Sequence, residues 1–84
     1  MHEYHLVKPL ISTIEAKVKT LPGIKKISRI TITLGMLKMV TKEHFAETFK
    51  ELSKGTVCEG AALDIKEVPG DVLVVENIEG EFEE

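Results

Sequence analysis

Apolar residues near the start of the chain predict an amphipathic helix. They recur at steps of three and four positions, the spacing of one helical face. Because Pro9 has no N–H for the carbonyl of His5 and its ring clashes there, we expect regular helix from about Lys8. Pro22 and Gly23 are expected to end the helix. The apolar stripe comprises Leu6, Val7, Leu10, Ile11, Ile14, Val18 and Leu21.

A second helix is predicted in the middle of the chain, with signals at both ends. Thr41 is of the residue type that caps a helix N-terminus, because its hydroxyl can accept a backbone N–H. Phe45, Phe49 and Leu52 follow at helical spacing and form the expected buried stripe. Gly55 is the expected C-cap.

Three stretches with alternating or β-branched residues predict strands at residues 26–34, 61–68 and 72–78. The short turn around Pro69 and Gly70 favours an antiparallel hairpin of the last two strands. The expected fold class is therefore α+β, in the order αβαββ. Its two helices should pack on one face of a three-stranded mixed or antiparallel sheet. An exposed edge strand would allow a homodimer.

The net charge and the apolar content of the chain argue against some classes of binding partner. The chain has 84 residues, enough for a single domain, and a net charge of -3, which argues against a nucleic-acid partner. It contains no apolar run of the roughly 20 residues that span a bilayer. Its first residues are too polar for a secretory signal, and Cys58 is its only cysteine. We therefore expect a cytoplasmic protein without membrane or nucleic-acid partners.

The candidate chemistry lies at the first residues. We find no catalytic motif and expect no enzyme activity. His2 follows Met1, so its imidazole, the terminal amine and the amide between them could chelate Ni(II) or Cu(II). Glu3 could add a carboxylate, and His5 is a weaker candidate one helical turn away. Taken alone, a histidine at position two is more often a polar residue flanking a helix than a metal ligand. Two other candidates are interpreted as non-ligands, His44 as a surface residue and Cys58 as a small loop or edge residue.

Three segments carry a resemblance to a known family. MHEYHLVKPLI, ITITLGML and HFAETFKELSKGTVCEGAALDIKEVP resemble the HypA/HybF family of hydrogenase-maturation accessory proteins. The resemblance covers residues 1–69. It implies that His2 is the principal nickel ligand, assisted by the Met1 amine, nearby backbone amides and Glu3. It also implies delivery of Ni(II) to a [NiFe]-hydrogenase large subunit, with a GTPase accessory protein as partner.

The sequence departs from the family where a zinc domain with two CxxC pairs would stand. Here residues 68–71 lead directly to a segment similar to the family's final strand, so the zinc domain looks excised at about residues 69–71. We therefore expect a single domain over residues 1–84 without structural zinc. Thr41 stands where some relatives offer a carboxylate, and His5 and Pro9 are further departures. The alternative function is a metal-independent module that binds maturation partners without carrying nickel.

Overall fold

Two helices and three strands alternate as the pattern predicts, which confirms the α+β class and the αβαββ order. The computed structural model describes residues 2–82, with side chains from residue 3 onward. No helix in this range is both long and apolar enough to cross a membrane. The elements are α1 (His2–Val18), β1 (Ile24–Gly35), a 3-10 turn (Met36–Lys38), α2 (Lys42–Leu52), β2 (Ala62–Val68) and β3 (Leu73–Phe82).

The sheet is mixed, with β1 at its centre. The strand order is β2-β1-β3, and β1 runs parallel to β2 and antiparallel to β3. The predicted hairpin of the last two strands is therefore wrong, because β1 lies between them. β1 is the most buried strand, and Ile30, Ile32 and Leu34 are fully buried. A strand of this kind is best stabilised with a neighbour on each side.

The connection between the edge strands crosses the end of β1 instead of forming a hairpin tip. The N–H of Gly35 donates to the carbonyl of Val72 at 2.7 Å, and Leu37 donates to that of Gly70 at 2.9 Å. A Cβ on Gly35 would lie 2.4 Å from the Gly70 carbonyl oxygen. Only glycine therefore allows this crossing. Residues 69–71, where the family's zinc domain would be expected, thus lie in the segment that connects the two edge strands β2 and β3.

One apolar core joins both helices to one face of the sheet, and it confirms most of the predicted stripes. The register of β1 against β3 shifts between Ile27 and Arg29, which lets Ile27 point inward although it is out of phase with Ile30. Leu21, in contrast, lies beyond the end of α1 and is 37% exposed. The buried core residues are Val7, Ile11, Ile14, Val18, Ile27, Ile30, Ile32, Leu34, Val40, Phe45, Phe49 and Cys58.

Three predicted helix boundaries are wrong, and one of them is the end of α1, which comes at Val18 and not at Pro22 and Gly23. α1 is already helical at His2 and includes Pro9, because the apolar stripe on both sides of the proline packs against the core. At the other helix the predicted cap is confirmed, since the Thr41 hydroxyl accepts the N–H of His44 at 3.2 Å. α2 ends at Leu52 with Ser53 as its C-cap, two residues before Gly55.

Candidate metal site

The candidate site begins at the first turn of α1. The backbone of His2 is helical, so its N–H is among the four at a helix start that have no acceptor within the helix. Glu3 is half-buried, whereas Tyr4 and His5 are exposed. The first fully buried side chain of α1 is that of Val7. The described part of this turn therefore lies at the surface, with free amide donors and a carboxylate.

Glu3 faces the second helix across a shallow groove. The groove is lined by Glu3 and Tyr4 of α1 and by Glu47, Thr48, Glu51 and Leu52 of α2. It thus brings carboxylates of two helices to one surface. The sequence analysis missed this juxtaposition. The available signal was the four-residue spacing of Glu47 and Glu51, which places both on one face of a helix.

His5 lies on a different side of α1 from this groove. It shares a second depression with Tyr4, Lys8, Pro9 and Ser12. The rings of Tyr4 and His5 meet edge to face, with centroids 6.0 Å apart. The Lys8 ammonium donates to the Tyr4 hydroxyl at 3.1 Å. The fold therefore surrounds His5 with an aromatic ring and a cation, and Glu3 is not among the residues lining its depression.

The two residues interpreted as non-ligands lie away from this turn. His44 is exposed in the first turn of α2. Cys58 lies in the connection between α2 and β2, which confirms its placement in a loop, and its side chain is fully buried in the core. Burial raises the pKa of the Cys58 thiol to about 11; the hydrogen bond with Thr56 acts against this rise and the charge of Glu15 adds to it. Cys58 therefore stays a neutral thiol at neutral pH, whereas a metal ligand must be a thiolate.

The described side chains do not by themselves form a metal centre. Among residues 3–82, no three His, Cys, Asp or Glu side chains lie close enough to hold an ion. Met1 and the His2 side chain, which the sequence analysis named as ligands, lie outside the described part of the chain. The predicted Met1, His2 and Glu3 set therefore stays a prediction.

Comparisons with a family model and with known proteins all match the chain to HypA proteins. A family model described as "Hydrogenase/urease nickel incorporation, metallochaperone, hypA" matches residues 1–75. The hydrogenase maturation factor HypA of Legionella pneumophila (strain Lens) is 32% identical over 73 residues, which are 87% of this chain and 64% of the relative. HypA of Dehalococcoides mccartyi is 34% identical over 71 residues, covering 84% of this chain and 59% of the relative.

Solved structures are similar as well. The solution structure of the Ni metallochaperone HypA from Helicobacter pylori matches with a TM-score of 0.67 and 27% identity. The match covers 92% of this chain and 72% of that protein. The chain thus spans less than two thirds of the length of the two curated relatives above, and the shared part includes α1 with its first turn.

Proposed function

The chain belongs to the HypA family, and from this membership we propose that it captures Ni(II) at the first turn of α1 and passes it to a nickel enzyme during maturation. The observation that carries the proposal is the Met1-His2-Glu3 sequence, within the family match, at the start of a helix whose first turn lies at the surface. The nickel ion is cargo in this proposal, held until a partner accepts it.

The proposed ligands are the Met1 amine, the amide nitrogen of His2 and the His2 imidazole, assisted by Glu3. Nitrogen-rich planar donor sets favour Ni(II) and Cu(II) over Zn(II), which prefers tetrahedral geometry. A backbone amide can bind a metal only after it loses its proton, which is costly where the N–H is hydrogen-bonded. Because the first N–H groups of a helix lack acceptors within the helix, the start of α1 avoids that cost.

The surroundings of Glu3 also suit a cation. The positive end of a helix dipole disfavours bound metal ions, and carboxylates near it offset this effect. Glu3 is in that first turn, and Glu47 and Glu51 line the same groove from α2. They would raise the local Ni(II) concentration without needing to be ligands.

The acceptor is proposed from the family. The resemblance implies a [NiFe]-hydrogenase large subunit as the acceptor and a GTPase accessory protein as a partner. With only Cys58 in the sequence, the chain cannot build a zinc site from two CxxC pairs.

Nickel titration of tag-free protein tests the proposal. We expect one Ni(II) per chain by calorimetry and a new visible absorption band. His2→Ala should abolish both, and so should acetylation of the Met1 amine, because an acetylated nitrogen no longer offers a free lone pair to the metal. His5→Ala and His44→Ala are matched controls that should bind like the parent. Binding that survives His2→Ala would refute the proposed site, and so would a parent chain that shows no binding.

A metal-independent docking module is the second candidate. The observation that favours it is the lack of any three-ligand cluster among the side chains of residues 3–82. It predicts that the chain captures a maturation partner equally well after chelation and after His2→Ala. Loss of capture under both conditions would favour the nickel carrier.

A further inference from the structure

Basic residues are concentrated in one part of the chain. Residues 16–42 contain seven of the eleven lysines and arginines and none of the fourteen aspartates and glutamates. From residue 43 onward, in contrast, lysines are interspersed with more numerous acidic residues. A local excess of one sign attracts a partner of the opposite sign even when the whole protein has a negative net charge. The basic residues of this stretch are Lys17, Lys19, Lys25, Lys26, Arg29, Lys38 and Lys42.

The fold gives some of these cations a counter-charge within the protein. In the register of β1 against β3, Lys26 lies opposite Glu81, and Arg29 lies opposite Glu79. Cross-strand neighbours of opposite charge attract each other. Lys38 is in an ion pair as well. The charge of these residues is therefore partly offset before any partner binds.

Three other lysines lie around the turn that joins α1 to β1. All three are exposed, and none forms an ion pair with another residue in the range 3–82. The turn is tight, because only five residues separate Val18 from Ile24 and the N–H of Thr20 donates to the carbonyl of Lys17 at 3.0 Å. It therefore holds the three amino groups in one region of the surface. Together they form a basic turn, which comprises Lys17, Lys19 and Lys25.

A bulge at the start of β1 explains why Lys25 has no neighbour of opposite charge. The pairing with β3 passes from Ile24 opposite Phe82 directly to Lys26 opposite Glu81. Lys25 is thus an extra residue without a partner position on β3, and a bulge of this kind gives its side chain a new direction. The positive charge of Lys25 therefore remains available to a second molecule.

The same turn offers apolar contact. Leu21 is 37% exposed and lines an open groove between α1 and β3, which is otherwise lined mainly by aliphatic side chains. Lys17 lines this groove as well. Glu76 lines it from β3, and its carboxylate already accepts a hydrogen bond from the hydroxyl of Thr33 at 2.8 Å. The turn thus combines unpaired lysines with an exposed leucine beside an apolar groove.

We propose that the basic turn and Leu21 dock an acidic segment of a partner protein that also carries an apolar side chain. A nucleic acid fits less well, because Glu79 and Glu81 on the neighbouring strand would repel a continuous phosphate backbone. With a rise of about 1.5 Å per residue, the 17 residues of α1 place its last residue about 24 Å from its first. Docking at the basic turn therefore leaves the candidate nickel turn free, and it does not depend on nickel capture.

Fluorescence anisotropy with a labelled acidic peptide tests this docking surface. The probe is a peptide of glutamates with a leucine at every third position. We expect saturable binding to the parent, which should weaken as NaCl rises from about 0.05 M to about 0.5 M. The triple variant with Lys17→Gln, Lys19→Gln and Lys25→Gln should bind about fivefold or more weakly, because it loses three charge pairs.

A second variant tests the apolar part of the surface. Leu21→Ser should bind the leucine-containing peptide about twofold or more weakly, because it removes apolar contact. It should bind an all-glutamate peptide of the same length like the parent. Equal binding of the leucine-containing peptide by Leu21→Ser and by the parent would overturn the apolar requirement of the proposal.

The matched control replaces three exposed lysines in and just after α2 by glutamine. It removes the same total charge, but from a region where lysines are interspersed with glutamates. It should bind the peptide within about twofold of the parent, because charges far from the docked peptide are screened. Unchanged circular dichroism and melting temperatures will show that each variant is folded. The replaced residues are Lys42, Lys50 and Lys54.

Three results would overturn the proposal. The first is a parent that does not bind the acidic peptide, and the second is an equal loss of binding in the two triple variants. The third is tighter binding of a DNA duplex or of phosphatidylglycerol vesicles than of the peptide. All measurements are made without nickel, so their failure is distinguishable from a failure of the proposed metal site.

Discussion

The two helices lie in one layer, yet they are held in different ways. α2 is fixed at both ends, by the Thr41 cap and by the N–H of Ser53, which donates to the carbonyl of Phe49 at 2.9 Å. Its apolar face is short but includes two fully buried phenylalanines. α1 is held by a long aliphatic stripe that begins only at Leu6 and Val7.

Pro9 adds to this difference. It lies within α1 and leaves the carbonyl of His5 without its usual donor. Among the described side chains of the first turn of α1, Glu3, Tyr4 and His5, none is fully buried, whereas α2 buries two phenylalanines. Segments that must rearrange around a ligand are drawn from the less stable parts of a fold. The candidate nickel turn therefore lies in the part of the helix layer that contributes least to the stability of the fold.

The largest expected effect comes from truncating a phenylalanine of α2. Phe49→Ala should lower the free energy of unfolding by about 3–5 kcal/mol, because it opens a cavity in the core. A domain of this size has a total stability of about 4–13 kcal/mol, so we expect the variant to unfold at mild denaturant concentrations. Urea unfolding followed by circular dichroism measures the loss.

The matched control is Tyr4→Ala on α1. Tyr4 is 37% exposed and lies before Pro9, so the same kind of truncation should cost less than about 1 kcal/mol. Equal losses in the two variants would contradict the view that the first turn of α1 is weakly anchored.

The second effect has the opposite sign. Pro9→Ala should stabilise the protein by about 1–3 kcal/mol, since it restores a donor to the carbonyl of His5 and removes the ring clash. The greater freedom of the unfolded chain offsets part of this gain. Denaturant unfolding measures the stability, and slower hydrogen exchange of the amides of residues 6–9 would locate the effect.

Ser12→Ala is the control for Pro9→Ala, because Ser12 is exposed in the same helix and keeps its backbone donor. It should change the stability by only a few tenths of a kcal/mol. If Pro9→Ala were neutral or destabilising, the proline would have to be relieved by a distortion of α1 instead.

The sequence predicts features that depend on neighbouring residues better than features that depend on contacts between distant parts of the chain. Local signals sufficed for the elements: alternation around Ile32 identified β1, and the hydroxyl of Thr41 identified the start of α2. The central place of β1 depends on contacts between distant strands. A signal was present, since the four consecutive residues 30–33 of β1 are all β-branched, and such a run suits a position with a neighbour on each side.

Gly80 shows why the end of β3 was missed. Glycine weakens a strand pattern, so the prediction stopped at Ile78, whereas the strand continues to Phe82. A Cβ on Gly80 would lie 2.7 Å from the carbonyl oxygen of Lys26, so a close backbone approach requires the glycine. The groove that joins Glu3 to Glu47 was missed for a similar reason, because it depends on how two helices pack.

The smallest effect tests the fixed end of α2. Thr41→Ala should cost about 1 kcal/mol, because the N–H of His44 loses the hydroxyl that accepts it at 3.2 Å. Thr41→Ser keeps a hydroxyl and should retain most of the stability, which makes it the matched control. Both are measured by denaturant unfolding. Nickel binding should be the same in both variants, because Thr41 does not line the groove beside Glu3. A Thr41→Ala protein that unfolds like its parent would show that packing of Phe45 and Phe49 alone holds α2, and the contrast between the helices would then rest on their buried faces.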